Sequence, residues 1–297
     1  MLEPDLLIDR RRLKRRLNFW RVLAVVALVG ALAAVARPSW NAAGQHLARV
    51  NITGIITENR KLTDAIAALA KDASVPAVII SVDSPGGSVA GGESLHAALQ
   101  KVADAKPVVA VMRGTAASAG YMVSVPAARI FAREATLTGS IGVILETVEF
   151  SGLLGTIGVN AQAITSGPLK DQPSLTRALT LQGREYLDGL VADMYDQFVN
   201  MVAQGRHMDV AAVRKLADGR AYTGRQAKTL GLVDEIGGEA EARIWLDQQH
   251  HIASSLPVHD LDPSSLYERT VGAATTGLHS FIAGSTSPGA WAIWSGR

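Results

Sequence analysis

Two short segments contain residue types that could form a nucleophilic site, and each follows an apolar run. Residues 83–88 read Asp-Ser-Pro-Gly-Gly-Ser, and the adjacent Gly86 and Gly87 would let the backbone turn its N–H groups towards a ligand, as an oxyanion hole requires. Residues 114–121 surround Ser118 with small residues, so that a peptide could reach its hydroxyl. Taken singly, the first segment could be only a turn before a helix, and the second only a place of close helix packing.

A serine hydroxyl needs a general base within hydrogen-bond distance, and the sequence offers few. No histidine lies between His96 and His207, and Lys170 is the one lysine between Lys106 and Lys215. A lysine acts as a base only where its pKa falls from about 10.4 towards neutrality, and a single lysine in a loop is more often solvated. Lys170 follows a strand candidate, as the other two segments do, and is therefore the candidate base.

The composition predicts a folded chain that needs neither a metal nor a cofactor. Its 297 residues are 48% hydrophobic, which is enough to bury a sizeable core and excludes disordered and collagen-like chains. The absence of cysteine excludes a disulfide framework, a cysteine nucleophile and a thiolate metal site. The seven histidines lack the spacing of a zinc hydrolase, and Gly86-Gly87 lacks the continuation of a nucleotide-binding loop.

The formal charge of +2 is unevenly distributed along the chain. Residues 1–21 hold seven basic and three acidic side chains, so the remaining residues carry a net charge of −2. A body with this charge is not expected to bind nucleic acid. The basic residues cluster at 10–16, immediately before an uncharged apolar run at 22–36. We therefore expect a cytoplasmic basic arm at 1–21 and a membrane-spanning signal anchor at 22–36, extended by Phe19 and Trp20.

An anchor of this kind predicts a location for the rest of the chain. A positive flank before a single span stays in the cytoplasm, so we expect a single-pass protein of the bacterial inner membrane with its body in the periplasm. Two alternatives remain open at this point. The run ends Ala34-Val35-Ala36, which resembles the cleavage site of a removable signal peptide, and a buried soluble helix is the third interpretation.

The body alternates strand and helix patterns, which predicts an α/β fold with parallel strands. Predicted strands and strand candidates are 47–56, 77–82, 108–112, 130–131, 141–145 and 158–165, and predicted helices include 62–69, 95–102, 180–205, 210–216 and 224–230. These elements define a single domain at 47–252. The remainder, 253–297, is rich in Ser, Gly, Thr and Pro and is expected to be a flexible tail.

Five segments occur in an order that carries a family resemblance. They are Ser-Pro-Gly-Gly-Ser at 84–88, Ala-Ala-Ser-Ala-Gly-Tyr at 116–121, Leu-Thr-Gly-Ser-Ile-Gly-Val at 137–143, Ser-Gly-Pro-Leu-Lys-Asp at 166–171 and Ala-Asp-Gly-Arg-Ala-Tyr-Thr-Gly-Arg-Gln-Ala at 217–227. Together they closely resemble the signal peptide peptidase A (protease IV) family of peptidase family S49, in its short single-unit form. The resemblance covers about residues 50–238.

The resemblance implies a Clp-protease/crotonase-like fold with repeated β-α units and a role for each matching residue. Ser118 corresponds to the nucleophile, Lys170 to the general base, and Ser140 to the serine that orients the lysine amine. The backbone N–H groups of Gly87 and Ala119 correspond to the oxyanion hole, with Gly86 shaping its turn. The family also implies a homo-oligomeric ring in which Ser and Lys from neighbouring protomers complete each site. Ala119 stands where many members have Gly.

The function expected from this resemblance is a membrane-anchored serine endopeptidase that cleaves signal peptide remnants and other hydrophobic peptides with a Ser-Lys dyad. A protease of the same type that clips membrane proteins is a close alternative, and the two differ in substrate. A crotonase-type acyl-CoA enzyme would leave Lys170 and Ser140 without a role, and an exported domain has little access to CoA. A scaffold that only binds peptides is the non-enzymatic alternative.

Overall fold

The computed structural model describes residues 20–26 and 44–263. Residues 20–26 form a helical stretch in a first unit that ends at Gly44, and the second unit begins at Gln45. Most of the predicted arm at 1–21 and of the predicted anchor at 22–36 lies outside the described residues. Within the described part, no helix has the length and apolar character needed to cross a membrane.

The described residues of the second unit form one eight-stranded sheet with helices on both faces. The strands are β1 Leu47–Ile56, β2 Val78–Gly87, β3 Val108–Ala117, β4 Arg129–Ala132, β5 Leu137–Gly139, β6 Ala221–Thr223, β7 Glu235–Ile236 and β8 Val258–Asp260. The helices are α1 Arg60–Leu69, α2 Val89–Ala103, α3 Ala119–Met122, α4 Ser151–Thr156, α5 Leu181–Gly205, α6 Val210–Leu216, α7 Gly224–Thr229 and α8 Glu239–His250. The mixed α/β architecture predicted from the alternating patterns is confirmed.

The three long strands β1, β2 and β3 are parallel and adjacent in the centre of the sheet. The full order is β6-β5-β3-β2-β1-β8, and β4 also pairs with β3 and with β7. The first half of β3 pairs with β4, whereas its last residues pair with β5. Because parallel strands run in the same direction, the segments that follow β1, β2 and β3 all emerge at one edge of the sheet.

Alternating side chains of the central strands bury the two faces of the sheet in separate cores. Val78, Ile80 and Val82 of β2 belong to the larger core, which includes residues of α1, α2, α3 and α5. Ile79 of β2 belongs to the smaller core beneath α8, together with Phe131 of β4. Burial on both faces explains why these strands read as continuous apolar runs rather than as alternating ones.

Polar residues occupy the N-cap positions of several helices, as is typical of helix N-termini. In five helices, the side chain of the residue before the helix accepts a hydrogen bond from a backbone N–H of the first turn. These residues are Asn59 before α1, Ser88 before α2, Thr180 before α5, Asp209 before α6 and Thr223 before α7. Such caps satisfy N–H groups that have no acceptor within the helix. The N-terminal ends of these five helices are therefore determined locally by sequence.

Two strands predicted from the hydrophobic pattern were wrong. Residues 141–145 and 158–165 form no strand; the strand in this part of the chain is β5, at Leu137–Gly139. Several apolar side chains in these two stretches are exposed, such as Ile144 at 81% and Val159 at 46%, although Ile141 is buried in the larger core. No described strand pairs with either stretch. Part of the tail predicted at 253–297 belongs to the sheet, because β8 pairs with β1. Residues 264–297 of that tail lie outside the described residues.

A buried ion pair connects the end of α5 to the loop before β7. Arg206 forms a bidentate contact with Asp234 at 2.6 and 3.0 Å, and the Arg206 side chain is only 8% exposed. Arg206 Nε also donates to the carbonyl of Gly231, and Asp234 accepts the backbone N–H of Ile130. These contacts hold the C-terminal part of the domain against the strand β4.

We expect Arg206→Met to lower the free energy of unfolding by about 3 kcal/mol, because it leaves the carboxylate of Asp234 largely buried without its cation. Denaturant unfolding followed by circular dichroism measures this change. The matched control is Arg60→Met, since the Arg60–Asp64 pair lies in solvent with side chains 91% and 73% exposed, and exposed pairs contribute little. Equal effects of the two substitutions would contradict the prediction.

Candidate active site

The ends of β1, β2 and β3 meet at a cleft of about 810 Å³. Ligands of open parallel sheets bind at this edge, where the strands end. The cleft combines the strand ends with one side of α5, with the chain that follows β5 and with the chain that precedes β6. Its lining consists of Ile55, Pro85, Gly86, Gly87, Val89, Ser118, Ser140, Gly142, Val143, Ile144, Asp188, Val191, Ala192, Tyr195, Ala217, Asp218 and Gly219.

Ser118 lies between the end of β3 and the start of α3 in a backbone conformation that is unusual for a residue with a side chain. Its φ is 53° and its ψ is −122°. Such a conformation costs of the order of 1–3 kcal/mol and persists only where surrounding contacts enforce it. One contact is the hydrogen bond from the Ser118 N–H to the carbonyl of Gly139 at 2.9 Å. The sharp turn places the serine on the wall of the cleft.

Gly86 and Gly87 lie against this turn, as the sequence predicted for an anion-binding backbone. Gly86 has a φ of +114°, and a Cβ at this position would lie 2.8 Å from the Cβ of Ser118 and 3.2 Å from the N atom of Ala119. A side chain at Gly87 would collide with the backbone of Ile56 in β1. Both positions therefore require glycine, and Gly86 brings the last residues of β2 into contact with Ser118.

Ala119 is the first residue of α3, so its N–H has no acceptor within the helix. The residues of α3 are all buried, and two side-chain contacts fix its orientation. The phenol of Tyr121 donates to the carbonyl of Leu232 at 2.9 Å, and burial raises its pKa, which keeps the donor protonated. The Nδ1 atom of His96 lies 2.9 Å from the carbonyl of Met122. The N–H of Ala119 is thereby held beside Ser118.

Ser84 holds the backbone of Gly86 in place through hydrogen bonds, a role that the sequence did not reveal. It is fully buried, its hydroxyl donates to the carbonyl of Gly54 at 2.6 Å, and it accepts the N–H of Gly86 at 3.1 Å. A Cβ at Gly120 would lie 2.8 Å from the carbonyl of Ser84. Its place at the start of the Ser-Pro-Gly-Gly segment was the only available signal, since burial of a serine is invisible in a single sequence.

Ser140 lies across the cleft wall at the end of β5. Its φ is 47°, its hydroxyl donates to the carbonyl of Gly219 at 3.2 Å, and its N–H donates to the carbonyl of Arg220 at 3.0 Å. The chain before β6 thus holds Ser140 in place. The structure brings four of the six predicted site residues, Ser118, Ser140, Gly86 and Gly87, to the lining of one cleft, with Ala119 directly adjacent.

Lys170 is the predicted site residue that this chain does not bring into its own cleft. It is exposed, it follows a short turn closed by the hydrogen bond from its N–H to the carbonyl of Gly167, and it is not part of the cleft lining. The lining contains no lysine, arginine or histidine among the described residues. The cleft as this single chain forms it therefore offers no lysine or histidine, among the described residues, that could act as a general base.

The stretch that carries Lys170 is the least buried part of the domain. We call residues 144–181 the exposed segment. Large apolar side chains are exposed along its length, at Ile144, Val148, Phe150, Leu153, Ile157, Val159, Ile164, Leu175 and Leu181. Exposed apolar side chains in this number make the exposed segment a candidate interaction surface.

No group of three or more His, Asp or Glu side chains in residues 20–26 and 44–263 is arranged to hold a metal ion. Two carboxylates reach the cleft. Asp218 is neutralised by Arg220, whose Nε lies 2.7 Å from Asp218 Oδ2. Asp188, on α5, is exposed and forms no hydrogen bond or ion pair with the other residues that the structure describes.

Comparison with known proteins identifies the relatives of this chain. Residues 100–253 match Peptidase family S49, and residues 48–141 match the Clp protease family. A candidate protease of Methanocaldococcus jannaschii is 40% identical over 63% of this chain and 60% of its own length. A candidate protease of Synechocystis is 38% identical over 68% of this chain and 73% of its own length.

Protease 4 of Salmonella typhi is 41% identical over 56% of this chain. The chain spans only 27% of that protein, and 60% of the relative from Methanocaldococcus jannaschii. The S49 match covers more than half of the chain and includes Ser118, Ser140 and Lys170. The resemblance to signal peptide peptidase A is therefore confirmed, and the chain belongs to peptidase family S49.

Proposed function

We propose that this protein is a serine endopeptidase in which Ser118 is the nucleophile. The observation that carries the proposal is the strained turn at Ser118, which faces Gly86 in an otherwise largely apolar cleft. Strain in a non-glycine residue at a cleft wall is characteristic of a functional position. The affiliation with S49 supports the same assignment.

The proposed reaction has two steps, acylation of Ser118 and hydrolysis of the acyl-enzyme, and the same groups transfer protons in both. As Ser118 Oγ attacks the scissile carbonyl carbon, a neutral lysine amine takes the hydroxyl proton. The N–H groups of Gly87 and Ala119 stabilise the oxyanion. When the intermediate collapses, the C–N bond breaks and the lysine gives its proton to the leaving amine. Water then attacks the acyl-enzyme by the same route and releases the acid, which regenerates Ser118.

Lys170 is the proposed base, and it acts on the cleft of a neighbouring protomer. This arrangement is supported by the exposure of Lys170 and by a cleft that lacks any cationic side chain of its own among the described residues. The exposed segment offers apolar surface for a second copy to cover. Ser140 would receive the incoming amine, since its hydroxyl lies on the cleft wall. Burial between protomers would supply the desolvation that a neutral lysine requires.

The apolar walls indicate the class of substrate. Ile55, Pro85, Val89 and Val191 all line the cleft, and Ile55 is 75% exposed at its rim. Such a surface suits peptides with hydrophobic side chains, and remnants of signal peptides are the proposed substrates. The apolar run at 22–36 would anchor the enzyme in the inner membrane, close to these substrates, with the peptidase domain in the periplasm.

A subunit-mixing experiment tests the shared site. We expect Ser118→Ala and Lys170→Ala to be inactive alone, but a co-expressed 1:1 mixture to recover about a quarter of the wild-type activity. In a head-to-tail ring, half of the clefts have Ser118, and half of those have a lysine-bearing neighbour. Two different affinity tags, used in succession, isolate assemblies that contain both variants, and cleavage of a quenched fluorescent peptide measures the activity.

The control replaces one partner in the mixture with the double variant Ser118→Ala/Lys170→Ala, which should restore nothing. Recovery only in the complementary mixture supports a base supplied between protomers. A doubly tagged complementary mixture that stays inactive would exclude Lys170 as a base acting on its neighbour.

A further inference from the structure

One face of α5 forms a continuous wall of the cleft. Asp188, Val191, Ala192 and Tyr195 all line it, and their spacing of three, four and seven residues places them on the same side of a helix. Further along, the core-facing side chains Phe198, Val199 and Val202 are buried. The N-terminal part of α5 is therefore turned towards the cleft, while its C-terminal part is packed into the domain.

This wall carries a single carboxylate beside an apolar strip. At about 1.5 Å of helix rise per residue, Asp188 lies about 4.5 Å along the axis from Val191 and about 6 Å from Ala192. Asp218, the other acidic residue of the lining, is occupied by Arg220. Asp188 is thus the uncompensated charge of the cleft among the described residues, and it has no hydrogen-bond partner within them.

We propose that Asp188 selects substrates with a lysine or arginine side chain near the scissile bond. This inference rests on the proposed function, and it specifies the peptides that the same cleft prefers. The aliphatic stem of such a side chain would lie on Val191 and Ala192, and its cation would pair with the carboxylate at the end of the strip. Long cationic side chains commonly bury their stems on apolar surface while the charged end finds a polar partner.

The charge balance of the lining supports this assignment over a purely apolar pocket. A fully hydrophobic side chain would leave Asp188 without a counter-ion beside it, and an acidic side chain would be repelled by it. Arg220 already pairs with Asp218 at 2.5 Å, and Arg184, one turn before Asp188 on α5, forms no ion pair with it among the described residues. The preference is therefore for a peptide that is hydrophobic overall and positively charged at one position.

The test uses a series of quenched fluorescent peptides that differ at one position near the scissile bond and have both termini blocked. The varied residue is Lys, Arg, norleucine or Glu, and it is placed in turn at each position close to the scissile bond. Blocked termini exclude capture of a free α-amino group by the carboxylate. We expect the full-length oligomer to show kcat/KM values about three- to fivefold higher for Lys than for norleucine at one of these positions, the range of an exposed ion pair.

Charge reversal gives the sharper result. The ratio of kcat/KM for Lys over Glu should be about tenfold or more in the wild type, because one peptide gains an attraction and the other a repulsion. Asp188→Lys should invert this ratio, and Asp188→Asn should bring it close to one. The control is Asp193→Asn, an exposed acidic residue on the same helix that bonds Gln197 and does not line the cleft. Added salt should reduce the wild-type ratio.

The possible outcomes separate this inference from the proposed function. A Lys/Glu ratio that Asp188→Lys leaves unchanged, with cleavage still dependent on Ser118, overturns the role of Asp188 alone. An equal loss on all peptides in Asp188→Asn also overturns it, because the carboxylate would then act on the enzyme's own groups, such as a neighbour's Lys170. Cleavage that does not depend on Ser118 overturns the proposed protease, and with it this inference.

Discussion

Replacing Ser118 with alanine is expected to lower kcat for peptide cleavage by roughly 10⁶-fold, the loss seen when a hydrolase loses its serine nucleophile. The expectation follows from the position of Ser118 on the cleft wall beside Gly86. No other group in the described lining can form the acyl-enzyme, apart from Ser140, whose hydroxyl is engaged with Gly219. Cleavage of a quenched peptide, together with labelling by a fluorophosphonate probe and mass analysis, measures the effect.

The control for this experiment is Ser94→Ala on α2. Ser94 bonds Glu58 and does not line the cleft, so both the labelling and the cleavage should persist. Size-exclusion chromatography of Ser118→Ala should show the wild-type assembly. A probe adduct on any other residue of a correctly assembled Ser118→Ala protein would refute Ser118 as the nucleophile.

Gly86→Ala is the second substitution expected to have a large effect, with a loss in kcat of about 10²- to 10³-fold, the range for removal of one oxyanion donor. The new Cβ would lie 2.8 Å from the Cβ of Ser118, and the φ of +114° disfavours any side chain. The backbone must therefore shift, which displaces the adjacent N–H of Gly87. A cost to folding of about 1–3 kcal/mol is expected in addition.

Gly231→Ala separates these two effects. Gly231 also has a positive φ, of 78°, but a Cβ there would meet no atom within 4 Å. Backbone strain alone should therefore lower its thermal stability and leave kcat as it is. If the kcat of Gly86→Ala were equal to that of Gly231→Ala, the approach of Gly86 to Ser118 would have no catalytic role.

The central strands could be predicted because their apolar runs are buried on both faces, as for 77–82 and 108–112. Residues 158–165 also contain apolar residues, but no described strand pairs with them, and a strand needs a partner for its backbone groups. The helix α8 was missed because only Ala242 and Leu246 are buried along it, which is too few to produce a visible period. The strand β8 has three residues and depends on pairing with β1.

Some residues of the candidate site could likewise be located from local sequence, whereas others depend on the tertiary structure. Gly86, Gly87 and Ser118 could be located from sequence because turns at strand ends have a recognisable composition. Ser84 and Asp188 could not, since their roles depend on burial and on the orientation of a helix relative to the sheet. The cleft on which Lys170 is proposed to act would belong to a neighbouring protomer, and no local pattern reports a contact between chains.

The contacts around Ser84 and Ser118 also hold the proposed site in one conformation before a substrate binds. The hydroxyl of Ser84 joins the carbonyl of Gly54 to the N–H of Gly86, and the Ser118 N–H is bound to Gly139. The turn at Ser118 is thus held in its strained form before any peptide arrives. In the proposed reaction, the cost of arranging this turn would be met during folding and not in the transition state. The protein would then be less stable, but its site would be preorganised.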